Sequence, residues 1–135
     1  MSSSISRVRV RYAETDKMGV VYYANYFVWF EVARTNLLRD AGWTYRDMEQ
    51  SGFMLPVVEA QCTYRAPAQY DDELEIRTRG ELLSPVRIKF LYEVSHADGR
   101  VLLADGQTVH ASVNASGRPT RLPARALAIF NPAGV

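Results

Sequence analysis

Residues 7–12 alternate strictly, with Arg7, Arg9 and Arg11 on one side and Val8, Val10 and Tyr12 on the other. A period of two predicts a half-buried strand. The polar stretch 13–19 ends in Gly19 and reads as a turn or loop. From about 22 to 41 the pattern becomes helical. Its first half, from Tyr22 to Ala33, is aromatic and apolar on nearly every side, and Gly42 offers a stop. Residues 44–51 predict a short second helix. Period-two runs then recur at 58–65, 73–79, 86–94 and, less cleanly, 101–113. Ala97-Asp98-Gly99-Arg100 joins the last two as a hairpin turn. The tail, with Pro119, Pro123 and Pro132 around a short apolar segment, predicts no definite element.

A helix apolar on all sides must be wrapped by the rest of the protein. The later half of this helix carries Arg34, Asn36, Arg39 and Asp40 and is expected to approach solvent. Short links between successive strands imply antiparallel pairing. The resulting expectation is an α+β domain: one antiparallel sheet of five or so strands curled around one long central helix.

Composition narrows the chemistry. A length of 135 residues fits a single domain, spanning 1–135. With 16 Lys and Arg against 15 Asp and Glu, no basic field exists to hold nucleic acid. One cysteine, Cys62, excludes an intrachain disulfide and favours a reducing compartment. No apolar run is long enough to span a membrane, and the N-terminal residues lack a secretory pattern. The expected location is the cytoplasm. Two histidines, His96 and His110, leave little material for a metal site or a His-centred triad, so no metal is expected.

Among candidate groups, Cys62 falls on the apolar phase of a strand and reads as a small buried hydrophobe. His96 and His110 have no companion motif. Arg65, Arg77, Arg79, Arg87 and Lys89 read as a solvated sheet face, or as contacts for an anionic ligand. Asp16 stands between a strand and the helix start. Free N–H groups and the positive dipole end there suit a developing oxyanion, and a carboxylate beside them can activate water or attack a carbonyl. The alternative is that Thr15 or Asp16 only closes a turn or caps the helix. Glu31 is an acid inside the aromatic helix. It needs a partner such as Arg34, or water, if it is buried.

The run Tyr12-Ala13-Glu14-Thr15-Asp16-Lys17-Met18-Gly19-Val20-Val21-Tyr22-Tyr23-Ala24-Asn25-Tyr26-Phe27-Val28-Trp29-Phe30-Glu31 closely resembles the signature of hotdog-fold acyl-CoA thioesterases. The group is the 4-hydroxybenzoyl-CoA thioesterase family, which includes the Tol-Pal-associated thioesterases. The stretch Tyr64-Arg65-Ala66-Pro67-Ala68-Gln69-Tyr70-Asp71-Asp72-Glu73-Leu74 is similar to the same family. The resemblance covers about 7–122 and leaves 123–135 as a tail.

That resemblance implies a hotdog fold and a hydrolase that cleaves acyl-CoA to free CoA and a carboxylic acid. It implies a homodimer or homotetramer with active sites between subunits, and no cofactor beyond the CoA of the substrate. It makes Asp16 catalytic, as nucleophile or general base, and turns the thioester oxygen toward the backbone N–H of Tyr23. Gly19, Val20, Tyr26 and Glu31 become substrate-binding candidates. Many members carry His where this chain has Tyr23; the backbone donor survives the change. Arg65, Arg87 and Lys89 are CoA-binding candidates from charge alone. A thioesterase acting on carrier-protein-bound or aromatic acyl groups, and a non-catalytic acyl-CoA-binding module, are the alternatives.

Overall fold

The computed structural model describes residues 3–130, the side chain of Tyr45 excepted. Pro132 and the end of the tail lie outside the described residues. The order of elements is β1 (Ser3–Arg9), a 3-10 turn (Tyr12–Glu14), α1 (Asn25–Asp40), α2 (Tyr45–Gln50), β2 (Phe53–Met54), β3 (Val57–Tyr64), β4 (Glu73–Ser84), β5 (Arg87–His96), β6 (Leu102–Ala111), β7 (Val113–Asn114) and α3 (Ala124–Phe130). Five strands form one antiparallel sheet in the order β1-β4-β5-β6-β3, and β2 pairs with β7 apart from it.

The helix lies on the face built by Leu74, Ile76, Ile88, Phe90, Tyr92, Val94 and Ala104, all fully buried. It presents Tyr26, Trp29, Phe30, Ala33, Leu37 and Leu38 to that face. Phe30 stacks on Tyr92 with ring centres 4.2 Å apart and planes 5° apart. Gly106, opposite Tyr92 in the ladder, makes the space. A Cβ there would meet Phe30 at 2.8 Å and collide with the Gln61 carbonyl.

The structure corrects the sequence expectations at several points. The strand expected at 7–12 runs from Ser3 to Arg9, and Tyr12 is exposed. Its inner face begins with Ser4 and Ser6, whose hydroxyls bond Asp40 and Asn36 of α1. Polar residues therefore occupy buried positions and hide the period. The helix begins at Asn25, three residues later than expected. It is not wrapped on all sides: Val28 and Val32 are 49% and 39% exposed, and Glu31 is exposed too. Asn36, expected near solvent, is half-buried through its bond to Ser6.

Cys62 is half-exposed, not buried, on β3, one of the two edge strands of the sheet. His110 is 1% exposed. The β2–β7 pair and α3 had no counterpart in the pattern. Phe130 of α3 lies edge-on to Phe90 at 5.7 Å and fills the space left by Gly80.

Candidate active site

The segment joining β1 to α1 is held at many points. The N–H of Asp16 bonds the Val20 carbonyl at 2.9 Å, and the N–H of Gly19 bonds the Asp16 carbonyl at 3.0 Å. Gly19 sits at φ +79°, a left-handed conformation that glycine adopts without steric cost. Val21 is tied to the Ala68 carbonyl at 2.8 Å. The Glu14 carbonyl accepts from the N–H of Tyr22 at 2.8 Å and from the Asn25 amide at 2.9 Å. The Glu14 carboxylate is buried and accepts from the N–H of Arg11 and the indole of Trp29.

This clamping fixes Asp16 beside the helix start. Its Oδ1 accepts the Met18 N–H at 2.9 Å, the turn-closing role expected of an Asp at this position. A carboxylate has two oxygens, so Oδ2 remains available for chemistry. Among the described residues the N–H groups of Tyr23 and Ala24 meet no protein acceptor. They are the free donors that a helix start leaves. Asp16, Val20, Tyr23, Tyr26, Tyr64 and Arg65 line one open cavity of about 350 Å³.

Within it Tyr26 is buried, and burial pushes its phenol up to about 12. Its ring meets Tyr64 edge-on at 5.1 Å. Tyr64 donates its hydroxyl to the Tyr23 carbonyl at 2.9 Å. Arg65 bonds Asp105 through Nε at 2.7 Å on the outer side of the sheet. Of the candidate residues, the chain thus brings Asp16, Val20, Tyr23, Tyr26 and Arg65 to one cavity, with Gly19 shaping the loop.

Glu31, Arg87 and Lys89 lie elsewhere. Glu31 lines a second cavity of about 320 Å³, together with Arg34, Leu38, Phe53, Met54 and His110. Among the described residues no ion pair joins Glu31 to Arg34; the Arg34 charge lies near the Tyr92 hydroxyl instead. Lys89 lies 4.0 Å from Glu81. Asp105, the partner of Arg65, pairs with Glu93 in the ladder. At about 3.3 Å per residue, Lys89 and Arg87 are then about 13 and 20 Å further along β5. Within one chain they form no common phosphate site with Arg65.

Sequence reasoning missed Glu14 and Tyr64. The signal for Glu14 was local, an acid three residues after Arg11 whose carboxylate accepts the Arg11 N–H. Tyr64 gave none, because its partner is 41 positions away.

A five-stranded antiparallel sheet packed on one long helix is the hotdog arrangement of thioester hydrolases. The chain belongs to the thioesterase-like superfamily, whose profile matches residues 10–130. It is 34% identical over 95 residues to the acyl-CoA thioester hydrolase YbgC of Escherichia coli O157:H7, covering 70% of this chain and 71% of the relative. A hypothetical protein of Thermus thermophilus, TT1821, superposes with a TM-score of 0.86 at 42% identity, over 95% of this chain and 99% of the other. The DHNA-CoA thioesterase of Staphylococcus aureus superposes with a TM-score of 0.84 at 34% identity, over 98% and 86%.

Proposed function

We propose that this chain hydrolyses acyl-CoA thioesters, with Asp16 driving the attack and the Tyr23 N–H receiving the thioester oxygen. The observation that carries this is the shared cavity: Asp16, Tyr23, whose N–H meets no protein acceptor among the described residues, and the aromatic pair Tyr26 and Tyr64 line the same 350 Å³. Water adds to the carbonyl carbon, negative charge grows on its oxygen, and the C–S bond breaks. The acid and CoA leave; the thiolate takes the proton given up by water. Asp16 acts by accepting that proton, or by attacking the carbonyl and passing the acyl group to water. Preorganised amides that meet charge only as it develops lower the barrier. The step calls for no metal or redox cofactor.

The proposed assembly is a homodimer, or a homotetramer of paired dimers. Strand β3 leaves one edge unpaired, carries a single formally charged residue before its end, Glu59, and exposes Val57, Val58 and Tyr64. Long, weakly charged edges are pairing sites. Antiparallel pairing of two β3 edges sets the Val57 end of one subunit beside the Tyr64 end of the other. The Glu31 cavity, flanked by β2 and the start of β3, then adjoins the neighbour's Asp16 cavity and can receive the acyl group. The same pairing gives Arg87 and Lys89 a route to the CoA phosphates of the neighbouring site, with Arg65 at its rim. A single half-exposed cysteine suits work in the cytoplasm.

The test is release of free thiol from short, long and aromatic acyl-CoAs and from an acylated carrier protein. Turnover of acyl-CoA supports the reading. Turnover of the carrier-bound ester alone shifts the substrate class, and binding without turnover refutes catalysis.

A further inference from the structure

Three backbone groups lie next to the Tyr23 N–H, which meets no protein acceptor among the described residues, and all three are held by hydrogen bonds. The Tyr22 N–H bonds the Glu14 carbonyl at 2.8 Å, and the Tyr22 carbonyl accepts from Asn25 at 3.0 Å. The Tyr23 carbonyl accepts from the Tyr26 N–H at 3.3 Å, a long bond, and from the Tyr64 hydroxyl at 2.9 Å. The first two ties are local to the loop and helix. The Tyr64 bond fastens this turn to the end of β3.

We infer that Tyr64 is a positioning residue for thioester hydrolysis, its hydroxyl fixing the carbonyl of the Tyr23–Ala24 peptide and so the turn that presents the adjoining Tyr23 N–H to the thioester oxygen. The inference rests on the site reading given above. Tyr64 ends β3, and its ring packs edge-on against Tyr26 at 5.1 Å and Tyr23 at 6.3 Å. The ring contacts set where the side chain lies, and the hydroxyl adds one directed bond to the backbone. Tyr64 stays partly exposed, and its partial burial against the helix start, with the Cys62 thiol beside it, pushes the phenol above its ordinary range. An oxyanion donor is effective only when its placement precedes the reaction, and small displacements are costly in rate. Tyr64 touches neither the reacting carbon nor the leaving sulfur in this account; it acts through the Tyr23 carbonyl and the turn that carries it.

The variant is Tyr64→Phe, which keeps the ring and removes only the hydroxyl. We expect kcat to fall about tenfold with KM changed by less than about twofold, the effect of one lost positioning bond. We expect the thermal midpoint to move by less than about 5 °C. A structural role alone would not alter the polarisation of a bound carbonyl. The second readout is therefore the infrared stretch of a carbon-13 ketone analogue of acyl-CoA, with CH2 in place of sulfur. Its shift to low frequency on binding should weaken in the variant. An unchanged kcat, an unchanged bound stretch, or a larger loss of thermal stability each overturns the proposal. Asp16→Asn runs alongside. If it stays active, the site reading itself fails; if it is inactive and Tyr64→Phe runs at the wild-type rate, only the positioning role fails.

Discussion

Trp29 of α1 donates its indole N–H to Glu14 Oε2 across 3.1 Å in the interior. The other carboxylate oxygen accepts the Arg11 N–H at 2.8 Å, and the Glu14 carbonyl holds Tyr22 and Asn25. One residue thus binds the segment just after β1, the loop that leads to α1 and the helix start together. In Glu14→Gln the side-chain amide must turn a donor toward one of these two donors. Leaving such a group unsatisfied costs about 1–3 kcal/mol. We expect chemical denaturation to show that loss, with kcat falling because the Asp16 loop is no longer pinned. Wild-type stability would mean that the carboxylate is not the clamp.

Asp16→Asn retains one oxygen for the Met18 N–H, so the turn should survive and the fold with it. It removes the proton acceptor and weakens the nucleophile. Turnover should fall by roughly two to four orders of magnitude while the thermal midpoint and CoA affinity stay near wild type. Full turnover in the folded variant would move the chemistry to another residue.

Legibility tracked the range of the interactions. Strands β4 and β5 alternate cleanly because their inner residues, from Leu74 to Val94, meet one apolar helix face. The start of β1 was obscured since Ser4 and Ser6 fill inner positions by bonding a helix more than 29 residues away. Asp16 was legible because both its turn chemistry and its motif are local. Tyr64 and the Glu14–Trp29 bond depend on contacts between distant segments, which no local period reports. Glu31, Val28 and Val32 misled for the opposite reason: an all-round apolar helix implies a cover, and within one chain the sheet supplies only part of it.

A lysine at the centre of β3 should separate the subunits. Ala60→Lys puts equal charges near each other across a self-paired edge, and Lys is a common natural block to such pairing. We expect sedimentation to report a monomer and turnover to drop by at least about tenfold, since each cavity then lacks its neighbour's wall. A monomer with wild-type turnover would show that one chain contains the whole site.

His110 makes stability depend on pH. The Leu55 carbonyl can only accept, so Nδ1 carries the proton, at 2.8 Å. Nε2 then accepts from the Thr108 hydroxyl at 2.8 Å, and Thr108 accepts from Tyr92 at 2.7 Å. The chain runs one way, and a second ring proton at Nε2 would meet the Thr108 donor. Burial, aided by the Arg34 charge and opposed by the Leu55 bond, lowers the imidazole from its ordinary 6.5 to about 4. The folded state therefore binds the proton less readily than the unfolded state. The neutral ring's contribution is complete above about pH 6.5 and is lost as pH falls toward 4, roughly 3 kcal/mol in all. Carboxylates titrate in the same window, so the measurement is the difference in unfolding free energy between wild type and His110→Asn at pH 7.5 and pH 4.5. The variant should be less stable at the higher pH and lose less on acidification. Parallel losses in the two proteins would sink this account of His110.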